Sequence, residues 1–129
     1  MIGLPGLLGL QVLRLAEGEV AMRVQIQPKM LAPNGYLHAA SIIALADTAC
    51  GFACIAHLPP GAVNFTTIEL KTNFLGTATD GTIDAVARAA HLGRTTHVWD
   101  ATVSTLETGK TLALFRCTQM ILWPKAGTS

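Results

Sequence analysis

At 129 residues, half of them hydrophobic and only 13% charged, the chain has room for one core and too little charge to wet the whole surface of a small domain. That imbalance points to surface covered by further copies of itself. A net charge of +1 with scattered Lys and Arg excludes the basic cluster of a nucleic-acid binder. Three cysteines, an odd number, exclude a disulfide framework and point to a cytoplasmic setting.

In chain order, residues 1–13 are apolar but lack a basic residue ahead of the apolar run and contain Pro5, so they do not read as a signal peptide. No segment is expected to span a membrane. Residues 10–15 form an arm that bends at Glu17-Gly18. Val20, Met22, Val24 and Ile26 alternate with Glu19, Arg23, Gln25 and Gln27, the period of a strand with one wet face. Pro28 and Pro33-Asn34-Gly35 mark an irregular loop. From His38 to His57 the residues are small or apolar on nearly every side, which predicts a helix enclosed by protein and stopped by Pro59-Pro60-Gly61.

Four strands are predicted next, at 63–75, 82–90, 95–106 and 111–122. Asp80-Gly81, Gly93 and Thr108-Gly109-Lys110 separate them with hairpin chemistry. The last run is apolar on both parities, as a central strand or an oligomer contact would be. The pattern predicts one α+β domain over 1–124, a meander of antiparallel strands wrapped around one helix, with a disordered tail at 125–129.

Asp47 is the one carboxylate within the predicted helix. Residues three, four and seven away, namely Ala40, Ile43, Ala44, Gly51 and Cys54, share its face and are apolar or small. Two readings stand. Asp47 lies at the edge of a polar stripe through His38, Ser41 and Thr48 and meets water, or it is kept there for chemistry. The helix start adds a second group: its first N–H groups lack helical partners and can receive a developing oxyanion, with Ala39 and Ala40 small enough to admit a substrate. Eight residues separate Ala39 from Asp47, roughly 12 Å along the axis. One reacting carbon cannot touch both, so a working site takes each from a different, antiparallel copy. Cys50 and Cys54 read as packing, since no further ligand stands at metal spacing. Trp99 and Trp123 read as packing too, and His57, His91 and His97 sit in no motif.

The run Gly35-Tyr36-Leu37-His38-Ala39-Ala40, followed by Leu45-Ala46-Asp47-Thr48-Ala49, resembles the signature of hot-dog-fold acyl-CoA thioesterases of the phenylacetate-degradation (PaaI) type. There a carboxylate follows nine residues after a His that opens the central helix. Residues 67–75 resemble that family's second strand and His91-Leu92-Gly93-Arg94-Thr95 its third turn. The resemblance implies a hot-dog fold and hydrolysis of an acyl-CoA thioester, with Asp47 as base or nucleophile. It implies the Ala39 amide of a partner subunit as oxyanion donor and Thr67 beside the carboxylate or its water. His38 would line the pantetheine path, and Gly93, Arg94 and Thr95 would approach CoA, Arg94 through a phosphate. Relatives carry Asn or Gln six residues before the His, where this chain has Ala32; Asn34 stands close by as a substitute. No metal or redox cofactor is implied, CoA being part of the substrate. The partners implied are further copies, a dimer at least, with the apolar last strand leaning to a tetramer. The rival reading is a hot-dog protein that binds acyl-CoA or a small acid without turning it over.

Overall fold

In the computed structural model, which describes residues 1–125, one six-stranded antiparallel sheet curls around a single long helix. The elements run α1 (Gly3–Leu8), β1 (Gln11–Ala16), β2 (Glu19–Gln25), a 3-10 turn (Pro28–Met30), α2 (Ala39–Ala56), β3 (Asn64–Phe74), β4 (Thr82–Leu92), β5 (Thr96–Thr105) and β6 (Thr111–Leu122). The expected tail at 125–129 falls, from residue 126 on, outside the described residues.

Strand order is β1-β2-β4-β5-β6-β3. The β1–β2, β4–β5 and β5–β6 connections are hairpins. At the first, Gly18 takes a φ of 72° that a side chain would resist. The expected meander fails at one place: β3 does not pair with β4 but crosses to the far edge and pairs with β6. Asp80-Gly81 therefore turns the chain into β4 without closing a hairpin. Turn chemistry is local, whereas the choice of neighbour is made by the whole sheet.

α2 packs against every strand of the sheet. Ile42, Leu45, Ala46, Ala49, Cys50, Ala53 and Cys54 are its buried residues. The small ones let the helix lie close to β2, β4, β5 and β6, whose inward residues Val20, Met22, Ile83, Trp99, Val103 and Phe115 complete the core. Truncating Leu45, fully buried, would cost about 2–5 kcal/mol. α2 is long and apolar enough, by length and composition, to cross a membrane, contrary to the sequence expectation; here that apolarity is used in packing the sheet.

The helix is not enclosed on all sides. Ala40 is exposed, and Ile43, Ala44, Asp47, Thr48 and Gly51 are only half-buried, which leaves one stripe of α2 uncovered in the single chain. β6 is an internal strand, with Ala113, Phe115, Cys117, Gln119 and Ile121 facing α2 and Leu114 and Met120 exposed on the outer face. That outer face also carries the ion pairs Arg116–Asp100, Arg88–Glu19 and Arg23–Asp84. Residues 1–9, expected only as an apolar lead-in, contain α1. Leu10 N–H donates to the Pro5 carbonyl at 3.0 Å, while Gln27 Nε2 and Lys29 Nζ donate to the Leu8 and Leu7 carbonyls at 2.9 and 2.8 Å.

Candidate active site

The start of α2 is fixed by the loop before it. Leu37 N–H donates to the Ala78 carbonyl at 2.8 Å and His38 N–H to the Met30 carbonyl at 3.0 Å, and Ser41 Oγ donates to that same Met30 carbonyl at 2.8 Å. His38 is the N-cap, its backbone extended and its Nδ1 accepting from Ala40 N–H at 2.9 Å. An accepting Nδ1 puts the proton of the neutral ring on Nε2. Ser41 and Ile42 N–H donate to the His38 carbonyl at 2.9 and 3.4 Å. Of the first four amides of the helix, only that of Ala39 is left without a partner among the described residues. It opens onto a cavity of about 460 Å³ lined by Ala32, Asn34, Tyr36, Leu37, His38, Ala39 and Thr77.

Asn34 lines this cavity, but its Oδ1 accepts from Tyr36 N–H at 3.1 Å. Its carbonyl end is spent on closing the turn, and its NH2 group remains available.

Asp47 sits two turns further along, on the open stripe of α2 rather than on the fully buried face. One of its oxygens, Oδ1, is buried and has no hydrogen-bond partner among the described residues. Burial raises its pKa above the ordinary carboxylate value, because the charged form loses water and gains no donor in return. It lines a separate cleft of about 320 Å³ with Pro5, Thr48, Gly51, Phe52, Ile55, Phe65 and Thr67.

Thr67 reaches this cleft because of a β-bulge. On a regular alternation it would share the outward parity of Glu69, Lys71 and Asn73. The β3–β6 register shifts between Thr67 and Glu69, so Thr67 pairs with inward-facing Gln119 while Glu69 pairs with outward Thr118. The extra residue, Ile68, turns Thr67 toward the helix. Behind it, Gln119 is fully buried, its Nε2 donating to the Cys50 carbonyl at 3.1 Å and its Oε1 without a partner among the described residues.

The candidate residues thus fall into three places. Asn34, His38 and Ala39 meet at the helix start, Asp47 and Thr67 share the second cleft, and Gly93, Arg94 and Thr95 form the β4–β5 hairpin. There the Arg94 guanidinium lies 4.5 Å from the centre of the Trp123 ring, and Trp123 Nε1 donates to the Arg94 carbonyl at 3.0 Å. Thr77 at the first cavity, and Pro5, Phe52, Ile55 and Phe65 at the second, carry no motif; only the fold brings them in. The three cysteines are buried and free, and burial holds the Cys54 thiol up at about 12, unreactive. Among the described residues no cluster of three or more His, Cys, Asp or Glu could hold a metal ion.

One helix is half-wrapped by an antiparallel sheet, with a carboxylate on its open stripe and, at its start, an amide unpaired among the described residues. Residues 34–117 match the thioesterase superfamily. The chain is 30% identical over 117 residues to the 1,4-dihydroxy-2-naphthoyl-CoA hydrolase of Listeria monocytogenes, covering 91% of this chain and 94% of that one. It is 30% identical over 110 residues to the acyl-coenzyme A thioesterase PaaI of Escherichia coli, covering 84% and 75%. A mutant thioesterase from Staphylococcus aureus has a similar structure, with a TM-score of 0.87 at 28% identity over 92% of this chain and 98% of the other. The chain therefore belongs to the thioesterase superfamily, as a hot-dog enzyme of PaaI type that hydrolyses thioesters.

Proposed function

We propose that this protein hydrolyses acyl-CoA thioesters in the cytoplasm at a site shared by two copies, with Asp47 from one and the Ala39 amide from the other. The observation that carries the reading is a pair of groups on one helix that have no partner among the described residues: the Ala39 amide at its start and the buried Asp47 carboxylate oxygen two turns on. They open into different cavities and lie roughly 12 Å apart along the axis, too far for one carbonyl carbon. A second, antiparallel α2 would bring one copy's Ala39 opposite the other's Asp47. The open stripe of α2 supports such a neighbour. So does β3, an edge strand whose apolar Leu70 and Phe74 are 40% and 45% exposed on the helix side. The exposed Leu114 and Met120 on the outer face favour a further pairing of dimers into a tetramer.

In this site Asp47 acts as base or as nucleophile. As base, it takes a proton from water while the water oxygen bonds to the thioester carbon. The Ala39 N–H of the second copy holds the negative oxygen of the tetrahedral adduct. The adduct then expels the CoA sulfur, which recovers the proton from Asp47, leaving the carboxylic acid and free CoA. As nucleophile, Asp47 bonds to the carbon and the adduct expels CoA as its thiolate, leaving a mixed anhydride; water then adds to the acyl carbon, the Asp47 carboxylate leaves, and the water's proton goes to the thiolate, giving the carboxylic acid and free CoA. Thr67 orients the carboxylate or the water. His38 lines the pantetheine path, Asn34 serves as the catalytic amide in the place of the Asn or Gln that relatives carry at Ala32, and the hairpin of Gly93, Arg94 and Thr95 takes the nucleotide end of CoA, with Arg94 steadied by Trp123. The chemistry needs no metal or redox cofactor.

Thiol release from short, long and aromatic acyl-CoAs tests the proposal: turnover of at least one supports it. Binding of a non-hydrolysable analogue with no turnover of any thioester would favour the binding-protein reading instead. The occupied Oδ1 of Asn34 speaks for that rival.

A further inference from the structure

We infer that Gln119 is a positioning residue for hydrolysis: from inside the sheet it ties the turn of α2 that follows Asp47 to the strand facing Thr67, and so sets the distance between those two groups. The inference rests on the thioesterase reading above and extends it to a residue that acts through others rather than on the substrate.

Gln119 does not match its surroundings. The other residues of β6 that face α2 include Ala113, Phe115, Cys117 and Ile121, and His97 is the one other polar residue buried among those described. Gln119 is fully buried, yet its Oε1 has no partner among the described residues. An orphaned buried acceptor destabilises more than one amide hydrogen bond stabilises, so methionine or leucine, of similar size, would suit the core better. The amide makes sense through what its other end holds.

That end reaches the site from behind. Nε2 donates to the carbonyl of Cys50 at 3.1 Å, three residues past Asp47 and so on the same turn of the helix. A carbonyl oxygen has two lone pairs, so this bond adds to the helix's own ladder without breaking it. Across the sheet, Gln119 stands between Thr67 on β3 and His97 on β5. His97 is itself fixed, its Nδ1 accepting from Trp99 Nε1 at 3.3 Å. Thr67 lies at the bulge, where the register with β6 shifts. The ladder is weakest there, on a strand that has β6 as its single neighbour in the sheet. Two contacts seat this stretch on α2: the Phe65 ring packs against Gly51, and Gln119 holds Cys50 beside it. Of the two, only the hydrogen bond has a preferred direction and length, and a fixed spacing of Asp47 from Thr67 requires both.

Gln119→Met keeps the size and removes the donor. Its urea melt should match or exceed that of the wild type, and KM and affinity for a non-hydrolysable acyl-CoA thioether should stay unchanged. Its kcat should fall by about tenfold or more, since a misplacement of about 1 Å can cost a hundredfold. Thr67→Ala supplies a readout that a packing role would not move. If Gln119 acts through the spacing from Thr67, adding Gln119→Met to Thr67→Ala should lower kcat by less than about threefold more, as coupled neighbours do. Gln119→Leu takes the place of Gln119→Met if the latter does not fold. Wild-type kcat in the folded single variant, losses that multiply in full in the double variant, or failure of both Gln119 substitutions to fold would overturn the inference. A wild type that releases thiol from no short, long or aromatic acyl-CoA would instead overturn the thioesterase reading beneath it.

Discussion

Ala39→Pro removes a single N–H and little else. Proline carries no amide hydrogen, and Ala39 N–H donates to nothing among the described residues, so no native hydrogen bond is lost. The backbone accepts the ring as well. Position 39 is the first residue of α2, where proline is favoured, and His38 before it has φ −67° and ψ 137°, the extended conformation that a residue preceding proline requires. The Ala40 amide remains capped by His38. Stability should therefore hold, or rise by about 0.4–1 kcal/mol through the stiffer unfolded chain. Loss of one oxyanion donor should lower kcat by about 10²–10³. Thiol release on the best acyl-CoA gives the rate, and a urea melt gives the stability. A folded Ala39→Pro enzyme with wild-type kcat would refute the role of that amide. Ala39→Gly, which keeps the N–H, should retain turnover.

Asp47→Asn should cut kcat by about a hundredfold or more while binding of a non-hydrolysable acyl-CoA thioether changes little; equal losses in rate and binding would point to a structural role. The raised pKa of Asp47 means that its charge costs stability as pH rises through the folded value, so the stability of Asp47→Asn relative to wild type should grow from acid to neutral pH in urea melts. For the same reason the acid limb of the wild-type rate profile should lie above the ordinary carboxylate range; a limb at or below it would contradict the burial argument. His97, buried against Trp99, whose Nε1 donates to its Nδ1 at 3.3 Å, has its pKa lowered by burial first and by His57 and His91 second. Its contribution to stability is complete above the ordinary histidine value of about 6.5 and is lost as pH falls toward the folded value. Unfolding free energy should drop over that interval, with a smaller drop in His97→Asn. Leu70→Asp, on the helix side of the edge strand, should leave the fold intact but give monomers in sedimentation with little activity; active monomers would argue against a shared site.

The helix α2 was legible because local chemistry marks both of its ends: His38 caps it and Pro59-Pro60 stops it, and no proline interrupts the run between. β6 was legible at its full extent, 111–122, for similar reasons. What escaped depended on contacts distant in sequence. α1 contains Gly3, Pro5 and Gly6 among six residues, against all local propensity, and is held by Gln27 and Lys29 from beyond β2. The bulge at Ile68 inverts the parity of Thr67, and nothing in the alternation of 63–75 announces it. Asp80-Gly81 has hairpin chemistry but no hairpin, because β3 finds its neighbour in β6. The uncovered stripe of α2 was hidden in the sequence for a different reason: its apolarity suits a second copy as well as it suits the chain's own sheet. In the candidate site, Asp47 and Ala39 could be named from spacing and from the unpaired amides of a helix start, while Pro5 and Phe65, which line the Asp47 cleft from α1 and β3, could not, since they come from elements distant in sequence.

The shared site is tested most directly by mixing two inactive chains. Asp47→Asn keeps its Ala39 amide, and Ala39→Pro keeps its Asp47. In a dimer of one of each, one site has lost both groups and the other has both intact. Random reassortment of equal amounts makes half the dimers mixed, so co-refolded protein should recover about a quarter of wild-type activity on symmetry grounds. Recovery at that level, in proportion to the mixed dimer separated by two different tags, is the expected result. Mixed dimers no more active than either parent would show that carboxylate and amide do not meet across the interface.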